Sequence, residues 1–121
     1  RLGTSRRAIH AALTMSVCAA RANGLAIFDG VYNDISDDAG FERECNEGVE
    51  FGFDGKTLVH PRQIDACNRL FSPTEAELAW AQSVSAAFTD PRNARVNALM
   101  IDGSMVERLH LDIAMRLLAR A

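Results

Sequence analysis

The sequence predicts an α/β protein in which short buried strands pack in parallel between helices. Two apolar runs, residues 25–28 and 56–60, carry this prediction, because each lies between segments with helical periodicity. The chain of 121 residues is long enough for one domain. Two parallel strands alone would leave long unpaired edges. We therefore expect this chain, which opens without Met, to be a piece of a longer protein that supplies the missing strands.

The first helix is predicted over about residues 5–22. Thr4 or Ser5 can cap it, apolar residues recur inside it at steps of three and four, and Gly24 can end it. The apolar run 25–28 follows directly and leads into a polar loop. This run is therefore interpreted as a buried strand.

A second helix, a second strand and a third helix follow. Asp37 or Asp38 can cap the second helix, and Gly52 can end it. Residues 56–60 are β-branched and apolar enough for a second buried strand. Pro61 closes this strand and suits the first turn of the third helix.

The C-terminal part predicts a helix, a hairpin and a last helix. Ser72 and Glu75 form a capping-box pattern for the fourth helix, with Pro73 at its first position. Residues 94–101 are a candidate strand, and the Asp-Gly turn that follows predicts a hairpin with residues 105–106 as its other arm. The last helix is expected to bury one apolar face, which consists of Leu109, Ile113, Leu117 and Leu118.

Composition excludes several classes of function. The chain carries 13 Lys and Arg against 16 Asp and Glu and has no basic block, so neither nucleic acid nor an anionic membrane is an expected partner. No apolar run approaches the roughly 20 residues that span a bilayer, and a cytoplasmic location is expected. The three cysteines lack metal-ligand spacing and are interpreted as buried thiols: Cys18, Cys45 and Cys67.

The first group of residues that could carry chemistry lies at the exit of the first strand. Carboxylates in this position often line the substrate and metal sites of α/β enzymes. Structural roles are the alternative, because Asp29 can anchor a turn, and Asp37 or Asp38 is more often a helix cap than a ligand. Tyr32 and Asp34 remain the candidates for lining a site.

The second group lies at the exit of the second strand. His60 ends that strand and Pro61 begins a helix, whose free backbone N–H groups would point at any anion nearby. His60 then borders a pocket, although a His in this position is more often a hydrogen-bonded structural residue. Lys56 lies at the opposite end of the predicted strand, ~13 Å away. It is therefore assigned a structural role remote from the pocket.

The third group surrounds the predicted hairpin turn. Asp102 lies in the turn, and Glu107 follows shortly after it. Such a hairpin can form a projecting flap that offers a carboxylate to a site elsewhere. The alternative is an ordinary turn, with Glu107 as a favourable charge at the start of the last helix.

Three blocks, in this order, resemble the C-terminal part of the citrate lyase β-subunit-like family, which includes the malyl-CoA lyases. The blocks are DGVYND at residues 29–34, GFDGK followed by HPRQI within residues 52–64, and DGSMV at residues 102–106. The second block is the most specific of the three. The resemblance covers essentially the whole chain.

This resemblance implies the fold and the assembly. Members of the family are (β/α)₈ TIM barrels longer than this chain. Residues 1–71 would be the C-terminal part of the barrel, with residues 26–31 and 56–59 as its last two strands. Residues 72–121 would be a helical extension with a hairpin flap, which packs on a neighbouring subunit of a homotrimer or hexamer.

The resemblance also implies an activity. Members of the family cleave or form a C–C bond between a CoA thioester and a short oxo acid, with Mg²⁺ as cofactor. The flap carboxylate that acts as general acid–base on a neighbouring subunit corresponds to Glu107, where many relatives have Asp, with Asp102 as the fallback. Metal ligands lie upstream of Arg1, so none is assigned in this chain, and the chain alone is expected to be inactive. The substrate and CoA contacts correspond to Tyr32, Asp34, His60 and Pro61.

Two other functions stay open at this point. One is a thioesterase that acts on malyl-CoA or a related ester, in which the same site directs water to the thioester. The other is a non-catalytic assembly module, in which Glu107 and the acidic strand exit are structural. The sequence does not choose the acyl chain or the oxo acid.

Overall fold

The structure is a computed structural model and describes residues 5–121. It divides into two compact units, with the boundary between Phe71 and Ser72. The first unit contains the parallel strands, and the second contains a hairpin that lies between two helices in the chain. Each unit has its own hydrophobic core. No helix within residues 5–121 combines the length and the apolar character needed to cross a membrane.

The first unit has the predicted order of helix, strand, helix, strand and helix. Its two strands pair in parallel, with Phe28 opposite Gly55 and Asp29 opposite Lys56. This pairing confirms the βαβ arrangement expected from the alternation of short strands with helices. The elements are a 3₁₀ turn (Arg7–Ile9), α1 (His10–Ala22), β1 (Phe28–Asp29), α2 (Asp38–Phe51), β2 (Gly55–Lys56), a second 3₁₀ turn (Pro61–Gln63) and α3 (Ile64–Phe71).

The first helix begins later than predicted, whereas the second follows its local sequence signals. α1 starts at His10 instead of residue 5, after a 3₁₀ turn, and the N-cap residue of neither element makes a side-chain cap. Ser5 Oγ accepts the N–H of Arg7 over 3.4 Å, and Thr4, the other predicted cap, lies outside the described residues. Asp37 caps α2 through its side chain, as predicted. Gly52 ends α2 with φ at 90°, a left-handed conformation that glycine adopts without steric cost.

Both strands are shorter than the sequence predicts. The regular ladder covers two residues in each strand instead of the expected runs 25–28 and 56–60. Backbone hydrogen bonds from Asp54 N–H to the Ile27 carbonyl and from Thr57 N–H to the Asp29 carbonyl flank it, at 2.9 and 3.0 Å. Within residues 5–121 each strand has only the other as a neighbour. The ladder therefore extends only as far as these two segments run side by side.

The core of the first unit is built by one side of each helix together with the strand-exit loops. Cys45 and Cys67 are buried as predicted, and desolvation by burial raises the pKa of the Cys45 thiol to about 12. Cys18 is exposed, so the prediction of a buried thiol is wrong for this residue. The helix buries Val17 instead, and the next residue lies ~100° further around the helix axis. The residues of this core cluster are Val17, Tyr32, Phe41, Cys45, Phe53, Cys67 and Phe71.

The second unit consists of a helix, a hairpin and a last helix. Its first helix begins two residues later than predicted, because Thr74 and Glu77 form the capping box in place of Ser72 and Glu75. The Thr74 N–H donates to Glu77 Oε2 over 2.7 Å, and the Glu77 N–H donates to Thr74 Oγ1 over 3.2 Å. The elements are α4 (Glu75–Thr89), a 3₁₀ turn (Pro91–Asn93), β3 (Ala98–Ile101), β4 (Ser104–Glu107) and α5 (Leu109–Leu118).

The hairpin forms as predicted, with a tight turn at Asp102 and Gly103. Both residues have positive φ, 49° and 78°, as a two-residue hairpin turn of this kind requires. The first strand starts at Ala98 instead of residue 94, because the chain turns again after the 3₁₀ segment, with the Val96 N–H donating to the Asn93 carbonyl over 3.0 Å. Val106 is the buried residue of the returning strand.

The last helix buries only part of the predicted face, because Leu117 and Leu118 pack against the core and the other two predicted residues do not. Leu109 is 61% exposed and Ile113 is 40% exposed, so the prediction that they face inward is wrong. Ala114 is fully buried instead, and the stripe runs at steps of three from Leu111 through Ala114 to Leu117. This stripe packs in the core of the second unit, which consists of Ala81, Val84, Phe88, Val106 and Ala114.

Candidate functional site

A buried ion pair joins the two strands of the first unit. Lys56 Nζ lies 3.0 Å from Asp29 Oδ2, and the two side chains are 0% and 2% exposed. Glu44 on α2 is the second partner of the ammonium group, at 2.6 Å from Nζ. The sequence assigns Lys56 a structural role, and a buried ion pair is such a role. Lys56 reaches Asp29 because the regular ladder ends at this residue, opposite Asp29.

Arg6 brings a second cation to the same carboxylate. Its Nη1 lies 2.6 Å from Asp29 Oδ1, and its Nη2 lies 2.6 Å from Glu47 Oε2. Asp29 Oδ1 also accepts the backbone N–H of Gly30 over 2.8 Å, which fixes the first residue of the strand-exit loop. Both oxygens of Asp29 are thus engaged by cations, as a buried carboxylate requires.

Tyr32 lies in the loop that leaves β1, and its side chain is buried. Its hydroxyl donates a hydrogen bond to Asp37 Oδ2 over 2.7 Å, and Asp37 Oδ1 accepts the backbone N–H of Gly40 over 2.8 Å. The bond to Asp37 raises the pKa of Tyr32 to about 12. A Cβ at residue 40 would overlap both the hydroxyl and the carboxylate, so glycine is required there.

Replacing Tyr32 with Phe is expected to raise the pKa of Asp37 toward its ordinary value. The Tyr32 hydroxyl and the Gly40 N–H hold that pKa below the ordinary range, so the carboxylate contributes stability above about pH 4 that is lost as pH falls through the lowered pKa. Tyr32→Phe should weaken this acid dependence. A carboxyl-carbon NMR titration of Asp37 measures the shift, with Asp90, whose pKa is lowered by its bonds to Arg92, as the internal control. An unchanged Asp37 pKa would contradict the assignment.

A cavity of about 450 Å³ opens beside the exit of β1. Asp29, Tyr32 and Asp34 line it from the strand exit, and Ile9 and Leu13 line it from the N-terminal helical segment. The combination of an apolar wall with a few polar groups is typical of sites for small organic ligands.

Asp34 has a local role in addition to lining this cavity. Its Oδ1 accepts hydrogen bonds from the Ser36 hydroxyl, at 2.6 Å, and from the Ser36 N–H, at 3.0 Å. These bonds hold the pKa of Asp34 below its ordinary value, so the side chain is a carboxylate at neutral pH. Asp34 is exposed and presents this negative charge at the edge of the cavity.

The segment after β2 is held by its own side chains. His60 is the N-cap of the 3₁₀ turn that begins at Pro61, and its Nδ1 accepts the N–H of Arg62 over 3.2 Å. Gln63 Oε1 accepts the N–H groups of Val59 and His60. The N–H groups of Gln63 and Ile64 donate to the carbonyls of His60 and Pro61, so the prediction of free N–H groups at the start of this helix is wrong.

The two candidate flap carboxylates lie in the second unit. Glu107 ends β4 and is half-buried, and its N–H donates to His110 Nδ1 over 2.8 Å. Arg108 stabilises the base of the hairpin, because its guanidinium donates to the carbonyls of Asn93 and Val96, at 2.9 and 3.0 Å. Asp102 lies at the exposed tip of the hairpin, in the turn.

The residues that the structure describes do not form a magnesium site. Among residues 5–121, no three His, Cys, Asp or Glu side chains come together as a group that could hold a metal ion. Asp29 and Glu44 are the most buried carboxylates of the strand exit, and both are paired with cations. Mg²⁺ takes oxygen ligands in a near-octahedral set, which these paired groups do not offer.

Comparison with solved structures gives the class of protein. The structure is similar to the protein CitE from Mycobacterium tuberculosis, solved in complex with magnesium, acetoacetate and coenzyme A, with a TM-score of 0.75 and 31% identity. That match covers 96% of this chain and 42% of that chain. A citrate lyase from Burkholderia xenovorans LB400 gives a TM-score of 0.73 at 20% identity, over 93% of this chain and 35% of that one, which supports the fold alone. The chain is a mixed α/β protein whose structure is similar to part of each of these two solved structures.

Sequence comparisons give the family. A sequence model of the HpcH/HpaI aldolase/citrate lyase family matches residues 2–61. A (3S)-malyl-CoA thioesterase from Cereibacter sphaeroides is 44% identical over 116 residues, which are 96% of this chain and 41% of that protein. Citrate lyase subunit beta from Escherichia coli K12 is 38% identical over 103 residues, which are 85% of this chain and 34% of that protein. The chain belongs to the HpcH/HpaI aldolase/citrate lyase family, as its sequence blocks predict.

The chain spans well under half the length of these relatives, from 34% to 41%. The structure adds three residues that reasoning from the sequence did not select for the strand exits: Arg6, Lys56 and Gln63. Lys56 and Gln63 lie inside the most specific sequence block, and this is the sequence feature that could have identified them. Arg6 precedes the first helix and carries no local signal of its role.

Proposed function

We propose that this chain is the C-terminal portion of a (β/α)₈ barrel, with β1 and β2 as the last two strands. The open faces of both strands support this assignment. Phe28 is 62% exposed although it lies on a strand of the sheet, and Val59, just after the other strand, is 48% exposed. Such apolar side chains need a neighbouring layer, which preceding strands of a barrel would supply. Residues 72–121 form the extension, with the hairpin β3–β4 as its flap.

The full-length protein is proposed to be a Mg²⁺-dependent enzyme that cleaves or forms a C–C bond between a CoA thioester and a short oxo acid. The observation that carries this proposal is the similarity of 96% of the chain to a protein solved with magnesium, acetoacetate and coenzyme A. The ligands of the metal are proposed to lie outside this chain. The chain alone is expected to show no turnover, and turnover by the isolated 121 residues would contradict this proposal.

The residues of this chain have proposed roles in binding and proton transfer. C–C bond cleavage leaves the enolate of a thioester, which must accept a proton at carbon, and a positioned carboxylic acid can supply it. Glu107 is proposed for this role at the site of a neighbouring subunit of a homotrimer or hexamer, with Asp102 as the fallback. The rim that the CoA thioester and the oxo acid contact is proposed to include Tyr32, Asp34, His60 and Pro61.

A thioesterase is the second candidate, and one observation favours it. The relative that is 44% identical over 96% of this chain is a (3S)-malyl-CoA thioesterase. In this reaction water attacks the thioester carbonyl, and the thiol of CoA leaves. The site would then serve hydrolysis with the same substrate contacts. A cytoplasmic location, expected from the sequence, remains a prediction under either activity.

The products of one incubation distinguish these functions. The purified full-length protein is incubated with malyl-CoA and Mg²⁺, and acetyl-CoA, glyoxylate, free CoA and malate are quantified. A lyase should give acetyl-CoA and glyoxylate in equal amounts without free CoA. A thioesterase should give free CoA and malate without glyoxylate. Citryl-CoA is tested in parallel, and failure to convert either ester would leave the non-catalytic assembly module as the surviving alternative.

A further inference from the structure

Gln63 connects the loops that leave the two parallel strands. Its side chain is 4% exposed. Its Nε2 donates a hydrogen bond to the carbonyl of Tyr32 over 3.1 Å, across 31 residues of sequence. Its Oε1 accepts the N–H of Val59 at 3.1 Å and the N–H of His60 at 3.3 Å. One side chain thus holds the exit of β1 against the exit of β2.

The contacts require an amide at this position. The loop after β1 offers a carbonyl, which needs a donor, and the loop after β2 offers two N–H groups, which need an acceptor. A carboxylate would lose the donor, and an ammonium group would lose the acceptor. Because the amide is buried, no bulk water replaces a lost partner. A Gln is long enough to reach both loops from the 3₁₀ turn.

We propose that Gln63 is a positioning residue that holds Tyr32 and His60 as one wall of the CoA-ester site. This inference rests on the proposed function, which assigns both residues to substrate contacts. Gln63 itself touches no substrate. Its loss would let the two loops separate, and the enzyme would then spend part of its binding energy on ordering them again.

The test compares Gln63→Glu with Gln82→Glu in the full-length protein. Gln82 is an exposed residue of α4 and controls for the charge change. Gln63→Glu keeps the acceptor for Val59 and His60 but turns an oxygen without a proton toward the Tyr32 carbonyl. We expect the KM for the CoA thioester to rise about tenfold with kcat changed less than about threefold, since uniform binding is lost. The Kd of free CoA, measured by calorimetry, should rise by the same factor, and Gln82→Glu should change neither.

If Gln63→Glu does not yield folded protein, the test uses Gln63→Asn, which keeps a neutral amide. Its side chain is one methylene shorter and cannot reach both loops, so the same rise in KM and Kd is expected. Unchanged KM and Kd in folded variants would overturn the positioning role, even if thermal stability falls. A wild-type protein that neither converts a CoA ester nor binds free CoA would instead overturn the proposed function, and the positioning role with it.

Discussion

Replacing Glu107 with Gln in the full-length protein is expected to lower the turnover of the CoA thioester about 10²- to 10⁴-fold. A positioned acid–base group typically contributes a factor of this size, and Gln keeps the size of the side chain while removing the proton that can be transferred. The measurement is kcat for the reaction that the product analysis identifies. The KM should change little, because the proposed role is in the chemical step.

Two variants control this experiment. Asp102→Asn changes the fallback carboxylate at the exposed tip of the hairpin, and Asp112→Asn changes an exposed carboxylate of α5. Loss of turnover in Asp102→Asn alone would move the catalytic role to the turn. If Glu107→Gln and Asp102→Asn both change kcat less than about twofold, the hairpin contributes no acid–base group.

Replacing Lys56 with Met is expected to lower the free energy of unfolding by about 3–5 kcal/mol. The ammonium group is fully buried between Asp29 and Glu44. Its removal leaves one oxygen of each carboxylate without a cation, while Arg6 still pairs with their other oxygens. Met fills a similar volume, so the decrease in the free energy of unfolding reflects the lost charge more than lost packing. Denaturant unfolding of the full-length protein measures the change.

Arg69→Met is the matched control. Arg69 pairs with Glu42 at 2.7 Å, but the two side chains are 60% and 43% exposed. An exposed pair of this kind contributes ~0–1 kcal/mol, so the control should unfold almost like the wild type. Equal effects in the two variants would contradict the assignment of Lys56 to a tightly coupled buried cluster.

Elements with strong local signals could be predicted from the sequence. Asp37 caps α2 because an Asp before an apolar helical repeat offers an acceptor to the first turn. The Asp102-Gly103 turn forms because both residues tolerate positive φ. The predicted start of α4 is two residues too early, because two capping-box patterns overlap there. Local sequence does not show whether Ser72 or Thr74 is the N-cap.

The strand-exit cluster could be predicted only in part, because its contacts join distant segments. The sequence places Asp29 at a strand exit, but its partners come from β2 and from the segment before α1. The second carboxylate of Lys56 comes from α2, where Glu44 lies 12 residues before it in the sequence. Gln63 has the same limitation, since its bond to the Tyr32 carbonyl depends on the parallel packing of the two strands.

The pairing of Asp29 with Lys56 also selects a single alignment of the two strands during folding. Only two residue pairs form the regular ladder, so the backbone alone discriminates weakly between shifted alignments. A slip by one residue would turn the ammonium group to the opposite side of the sheet, away from both of its carboxylates. Burying these charges without partners would cost so much free energy that chains with a shifted register should be rare. The ion pair thus specifies the register of these two short strands, whereas longer strands obtain their register from many side-chain contacts.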